Sequence, residues 1–166
     1  MQNNTLHKRN KTLAVIFAVL SILWAALIFM LSAENGDDSA DLSGGVVRAV
    51  IDSLSLEKEP TWLEHFIRKL AHFSEYFILG TFVLLAFVFG LSAKQKNGAK
   101  GIFASVPICM FYASTDEFHQ GFVSGRSPQV TDVCIDTLGA LLAGGVIILC
   151  ILLFGRKNTA PSVINK

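Results

Sequence analysis

"IFASVPICMFYASTDEFHQ" occupies residues 102–120, and its first twelve residues carry no charge. Asp116, Glu117, His119 and Gln120 then arrive together, and Arg126 follows. Why so apolar a run ends in that much ionisable chemistry depends on what surrounds it. The chain has 166 residues, enough for one domain. It is 52% hydrophobic and 16% charged, with a mean hydropathy of +0.51. A soluble domain carries about 25% charged residues. The net charge of +1 says less than its distribution. Repeats, low-complexity tracts and a nucleic-acid-binding signature are absent from the sequence. Cys109, Cys134 and Cys150 all lie in apolar stretches. An odd count there argues against a disulfide framework and for three small buried hydrophobes.

Three further apolar runs flank this one. Leu13 to Leu31, "LAVIFAVLSILWAALIFML", is uncharged and close to the ~20 residues that cross a bilayer. It is too long for a typical signal-peptide core, and Leu31 suits a cleavage site after Ala33 poorly, so it reads as a retained anchor. The second run covers residues 70–91. "TWLE" (61–64) has the pattern of a capping box, with Thr61 as N-cap and Glu64 three residues on. A helix from Trp62 to Leu91 would be about 45 Å long, so its first turns should stand above the hydrocarbon. Run 102–120 is the third, with Pro107 a potential kink. The fourth, 130–154, opens after "SPQ" (127–129), where Ser127 can cap and Pro128 suits the first helical position.

Charge gives a direction. Lys8, Arg9 and Lys11 mark the N-terminal tail, Lys94, Lys96 and Lys100 the loop between the second and third runs, and Arg156, Lys157 and Lys166 the C-terminal tail. None of these segments contains Asp or Glu. The positive-inside rule then puts both termini and that loop in the cytoplasm. The expected architecture is all-α: a polytopic four-transmembrane-helix bundle over residues 13–154, between cytoplasmic tails 1–12 and 155–166. The acidic segment Ser32 to Glu64 falls outside. Leu42, Val46, Val50 and Leu54 recur within it at fourfold spacing, as in a short amphipathic helix, although Gly44 and Gly45 also suit a solvated loop.

The polar residues now acquire a geometry. Arg68, His72 and Glu75 share one face of the second helix. Asp116, His119 and Gln120 share a face of the third, and Asp132 and Asp136 a face of the fourth. Glu75, Asp116 and Asp136 then fall in the outer third of the membrane, with Arg68, Lys69 and Arg126 around the mouth above them. An ionised group facing lipid costs several kcal/mol, so these stripes are expected to face each other around an outward-facing polar pocket. Gly139, Ala140, Ala143 and Gly144 would let the fourth helix approach its neighbours. A purely structural ion-pair network is the competing explanation, but interhelical polar contacts in membranes average only about 0.6 kcal/mol. Lys69 and Glu117 stand one position off their stripes, as solvated rim residues would. His65, Phe118 and Phe122 suit interfacial positions, and Tyr76 a hydrogen-bonding wall.

"RKLAHFSEYFILG" (68–80), "DEFHQGFVSGR" (116–126) and "DVCIDTLGALLAG" (132–144) together resemble the VanZ-like family of bacterial membrane proteins. The order and spacing of the blocks agree across residues 13–154. "LSAEN" (31–35) sits where members carry a short Ser-rich turn, but Ala33 and Glu34 depart from the commoner Ser–Gln, and no role is assigned to it. The family is named for a factor associated with teicoplanin resistance. The resemblance implies a small multi-helix protein of the bacterial envelope and supplies no reaction. The motif positions it carries over are Arg68, Lys69, His72, Glu75, Tyr76, Asp116, Glu117, His119, Gln120, Arg126, Asp132, Asp136 and Gly139.

Three classes of function fit. The first is a binding protein for an envelope lipid, cell-wall precursor or lipoglycopeptide, needing no cofactor and no nucleic acid. Arg68, Lys69 and Arg126 would take phosphate or carboxylate, and the acids an amine or sugar hydroxyls. The second is an enzyme on a lipid or polyprenyl-phosphate headgroup, with His72, Glu75, Asp116 and His119 as its acid and base groups. In a metal-dependent version, His72-x-x-Glu75 and Asp116-x-x-His119 would meet across the bundle. "GFVSG" (121–125) is not a nucleophile elbow. The third, a transporter, is disfavoured by a cytoplasmic half sealed with Phe, Leu and Val. Oligomeric state is not legible in the sequence.

Overall fold

The computed structural model describes residues 2–34, 36–54, 62–91 and 98–154. Every regular element among them is a helix: α1 (Gln2–Ser32), α2 (Gly36–Leu54), α3 (Leu63–Gly90), α4 (Gly98–Gln120) and α5 (Val130–Phe154). α1 contains neither Gly nor Pro, so nothing in its sequence interrupts helical propagation. The expected basic tail 1–12 is mostly the first turns of α1, with Lys8, Arg9 and Lys11 on the same helix as the apolar run.

α3 is the hub, packing against α1, α2, α4 and α5. The core between them is Tyr76, Leu79 and Val83 of α3, Ile28 of α1, Cys109 and Ala113 of α4, and Ala140 of α5. α1 is tied in by two hydrogen bonds between side chains and backbone carbonyls. Trp24 Nε1 donates to the Glu75 carbonyl of α3 at 2.9 Å, and the Tyr112 hydroxyl of α4 donates to the Ala25 carbonyl. Much of the outer face of α1's apolar run is uncovered, including Val15, Ile22 and Met30. Such a surface is a liability in water and the expected one against acyl chains. Three helices, α1, α3 and α5, are long and apolar enough to cross a membrane. The four expected spans are thus matched by three helices of that kind, with α4 lying alongside α3 and α5.

α3 and α5 meet almost backbone to backbone. A Cβ on Gly139 would stand 2.4 Å from the Phe73 carbonyl oxygen, and one on Gly80 2.8 Å from the Ala140 Cα. The small-residue stripe read from the sequence makes this approach possible, and Gly144 extends it to Ile102 of α4. Gly139→Ala is expected to lower stability by about 1–3 kcal/mol, because neither backbone can yield. Gly145→Ala has nothing within 4 Å to strike and should be neutral or slightly stabilising. Thermal unfolding of the two purified variants in detergent checks the contrast.

Several local expectations change. The N-cap of α3 is Trp62, with no side-chain hydrogen bond of its own, and Thr61 of the expected capping box lies outside the described residues. Pro128 is not the first residue of α5. Helix begins at Val130, after Ser127–Gln129, which belong to no regular element. Pro107 sits inside an unbroken α4. α2 is a helix despite Gly44 and Gly45, with Val47 fully buried and Val46 half exposed. Only Cys109 is buried; Cys134 and Cys150 face out of the bundle, where an apolar neighbourhood in sequence meant lipid-facing surface. Thr61, Lys94, Lys96, Arg156, Lys157 and Lys166 lie outside the described residues.

Candidate functional site

One end of the bundle gathers most of the ionisable side chains. There α1 finishes, α3 begins, and α4 turns into α5. A cavity of about 240 Å³ opens at that end. Its ionisable lining is Arg68, His72 and Glu75 from α3, Arg126 from the α4–α5 turn, and Glu34 from just beyond α1. Leu31 and Ser32 of α1 and Val46 of α2 complete other parts of the wall. A second hollow of about 630 Å³ lies between α1 and α3 near their other ends, beside Ile108 of α4, and has no ionisable lining residue.

The α3 stripe works as the spacing predicts: positions 68, 72 and 75 fall on one helical face and all reach the cavity. Arg126 arrives differently. Gly125 has φ 76°, a left-handed conformation that glycine adopts without a Cβ penalty. The turn swings Arg126 back toward α1, where Nη2 approaches the Leu31 carbonyl at 3.4 Å. Its Nε is buried and, among the described residues, has no acceptor. Burial, then the charge of Arg68, hold this guanidinium below its usual pKa, while Asp116, Glu34 and Glu117 pull the other way. It remains a cation, since arginine does not deprotonate in proteins.

Behind the cavity lies a buried acidic layer. Asp136 is 0% exposed, Asp116 2% and Glu117 5%. The His72 Nδ1 stands 3.7 Å from Asp136 Oδ1, too far for a hydrogen bond. Neither Asp136 oxygen, nor the fully buried Tyr76 hydroxyl, has a hydrogen-bond partner among the described residues. Gln120 Nε2 donates to Asp116 Oδ2 at 3.3 Å, and the Ser32 hydroxyl faces Asp116 without closing a hydrogen bond. His72 therefore joins the open cavity to the buried acids. A carboxylate behind an imidazole is also the arrangement that orients a general base.

The remaining candidates have structural partners. Lys69 pairs with Asp132 across α3 and α5; it is not free rim. Glu117 is not rim either: its Oε2 accepts the Gln129 backbone N–H at 2.7 Å and so organises the entry to α5. Glu117→Gln keeps the shape and loses the charge-assisted bond, an expected cost of about 1–2 kcal/mol, readable as a lower unfolding temperature. His119 does not join the cavity; its ring lies 4.5 Å from that of Phe29 on α1. Phe118 and Phe122 are exposed and edge-on to each other, as interfacial anchors would be. Among the described residues no three His, Cys, Asp or Glu side chains gather as a metal site.

The sequence reading missed Glu34, and with it the contribution of the turn after α1. The signal was present, since "LSAEN" occupies a recognisable position, but its departures from the common pattern hid an acid that faces Arg126. No curated protein and no solved structure matches the chain. A family model described as VanZ/LLP1 matches residues 17–153. That interval holds α2 to α4 whole, most of α1 and α5, and every wall of the cavity, so the chain belongs to the VanZ/LLP1 family.

Proposed function

We propose that this protein sits in the bacterial cytoplasmic membrane, crosses it four times with both termini inside, and opens its charged cavity to the outside. There it recognises the headgroup of an envelope lipid or cell-wall precursor. Through that ligand it lowers sensitivity to teicoplanin-type lipoglycopeptides. The observation that carries the reading is Arg126: a cavity-lining guanidinium with a buried, acceptor-less Nε, beside Arg68. Buried donors are rarely left unmade, and paired guanidiniums suit phosphate or carboxylate oxygens.

The test compares envelope lipid profiles and lipoglycopeptide susceptibility in cells with and without the protein, at matched protein levels. Arg126→Gln should return both readouts to those of cells lacking the protein. Unchanged profiles and susceptibility in that variant would remove the proposal. An acid/base enzyme on the same headgroup is the second reading, supported by the Asp136–His72–cavity order. It requires a modified lipid that appears with the wild type and disappears in His72→Gln.

A further inference from the structure

The end of the bundle away from the charged cavity carries charge of one sign. Lys8, Arg9 and Lys11 stand in the first turns of α1 and Lys100 in the first turn of α4, all exposed. No Asp or Glu occurs in residues 1–33, 76–115 or 137–166, the segments that build this end. These cations therefore find no carboxylate on their own stretch of helix or on the neighbouring ends of α3 and α5. The second hollow opens beside them. Its floor is made of small residues, Ala14, Ala18 and Ser21 of α1 and Ala86 and Gly90 of α3. A Cβ on Gly90 would meet the Ala14 Cβ at 3.6 Å. The Ser21 hydroxyl donates to the Ala18 carbonyl at 2.8 Å, so it offers the hollow no free donor. Positions 11, 14, 18 and 21 share one helical face, and Lys11 thus continues the α1 stripe one turn beyond the hollow. On α4, Lys100 stands about two turns before Ile108, which walls the other side. The result is a trough of about 630 Å³ with no ionisable lining residue, within the ~300–1,000 Å³ of ligand sites, whose mouth is ringed by cations.

We propose that this hollow binds an anionic phospholipid from the leaflet at that end. One acyl chain lies in the trough between α1 and α3, and the phosphate sits on Lys11 and Lys100, with Lys8 and Arg9 adding to the field. A chain on the outer surface of a span touches protein on one side only. A chain in the trough touches α1, α3 and Ile108 of α4 and gains dispersion contacts from each. Charge selects the headgroup, because basic residues at the mouth of a pocket between spans favour anionic lipids. A zwitterionic headgroup brings its own cation to a place that has no acid to receive it. A second copy of the chain, lying parallel, would bring the same four cations to the same mouth. The site is separate from the charged cavity and does not depend on what that cavity recognises.

The full chain, purified in neutral detergent, is mixed with equimolar dioleoyl phosphatidylglycerol, phosphatidylcholine and phosphatidylethanolamine, and the retained lipids are weighed by native mass spectrometry. Phosphatidylglycerol should be retained at least about tenfold more than either zwitterionic lipid, and the preference should shrink as salt rises. Lys11→Gln combined with Lys100→Gln should remove the preference and leave weaker binding through the chain. Ala18→Leu, which fills the trough, should lower retention of all three lipids with the cations intact. Val15→Trp, at the exposed rim of the hollow, should do so in part, which keeps the test open if Ala18→Leu folds poorly by gel filtration and circular dichroism. Arg126→Gln, at the opposite end, should leave the preference unchanged. Equal retention of the three lipids overturns the proposal, as does a preference that survives the lysine pair or retention that survives filling the trough. Loss of the preference in Arg126→Gln would move the anionic lipid to the charged cavity and overturn it as well. A lipid-free dimer that disappears in Ala18→Leu would give the hollow to a second copy, with the same consequence.

Discussion

Replacing Asp136 by asparagine is expected to raise the thermal stability of the protein and to abolish its effect in cells. Asp136 is fully buried, His72 Nδ1 is 3.7 Å away, and no donor among the described residues reaches either oxygen. Burying such a group without partners costs free energy. Its neighbours are acceptors or carry unused hydroxyls: Asp116 and Tyr76 both lie within electrostatic reach, and the Tyr76 hydroxyl has no partner among the described residues. An asparagine amide fits the same volume and brings two donors to that layer. One new hydrogen bond is worth about 1 kcal/mol, so the unfolding temperature in detergent should rise. Function should fall because the group behind His72 can then neither bind nor release a proton. A buried group that costs the fold stability is the expected signature of a site. If Asp136→Asn instead lowered the unfolding temperature by several degrees, the carboxylate would be a structural partner, and the buried layer would hold the bundle together without serving the cavity.

How much of this was legible beforehand varies with the physical level. The helices were readable because bilayer length and the 3.6-residue period leave strong marks, and α1, α3 and α5 fall where the apolar runs do. The α3 stripe was readable for the same reason: Arg68, His72 and Glu75 reach one cavity. Which residue of one helix meets which of another was not. Sequence spacing offered His72 with Glu75 and Asp116 with His119, whereas packing sets His72 toward Asp136 and His119 against Phe29. Helical periodicity fixes a face, but rotation and depth depend on contacts such as Gly139 against Phe73, which no single helix encodes. Glu117 and Lys69 illustrate the same gap. Both stood off the polar stripes, yet backbone capping of α5 and pairing with Asp132 bury or occupy them.

The second large effect concerns α4 and is all-or-none. Cysteines placed at Ser124 and at Lys100, in a chain whose exposed Cys134 and Cys150 are replaced by alanine while buried Cys109 remains, are expected to label on opposite sides of the membrane. An impermeant maleimide added to intact cells whose outer layers admit it should modify Ser124→Cys and leave Lys100→Cys untouched until the membrane is opened. The two positions bracket α4, so opposite sides mean that α4 crosses and the same side means that it does not. By parity, four crossings return the C-terminus to the side of the N-terminus, and three do not. At 23 residues, α4 is about 34 Å long, enough for a ~30 Å hydrocarbon core. It falls short of α1, α3 and α5 in apolar character, with Lys100 in its first turn and, in its last turns, Asp116, Glu117 and Gln120. Those three are 2%, 5% and 5% exposed, so an average over the sequence charges the helix for polar groups that lipid never meets. The side chains that α4 does present outward include Phe103, Ile108, Met110, Phe111 and Phe118. That surface is apolar, and Lys100 at its start favours the cytoplasmic side. A span judged by its outer surface crosses; judged by its composition it does not, and the labelling pattern decides between them.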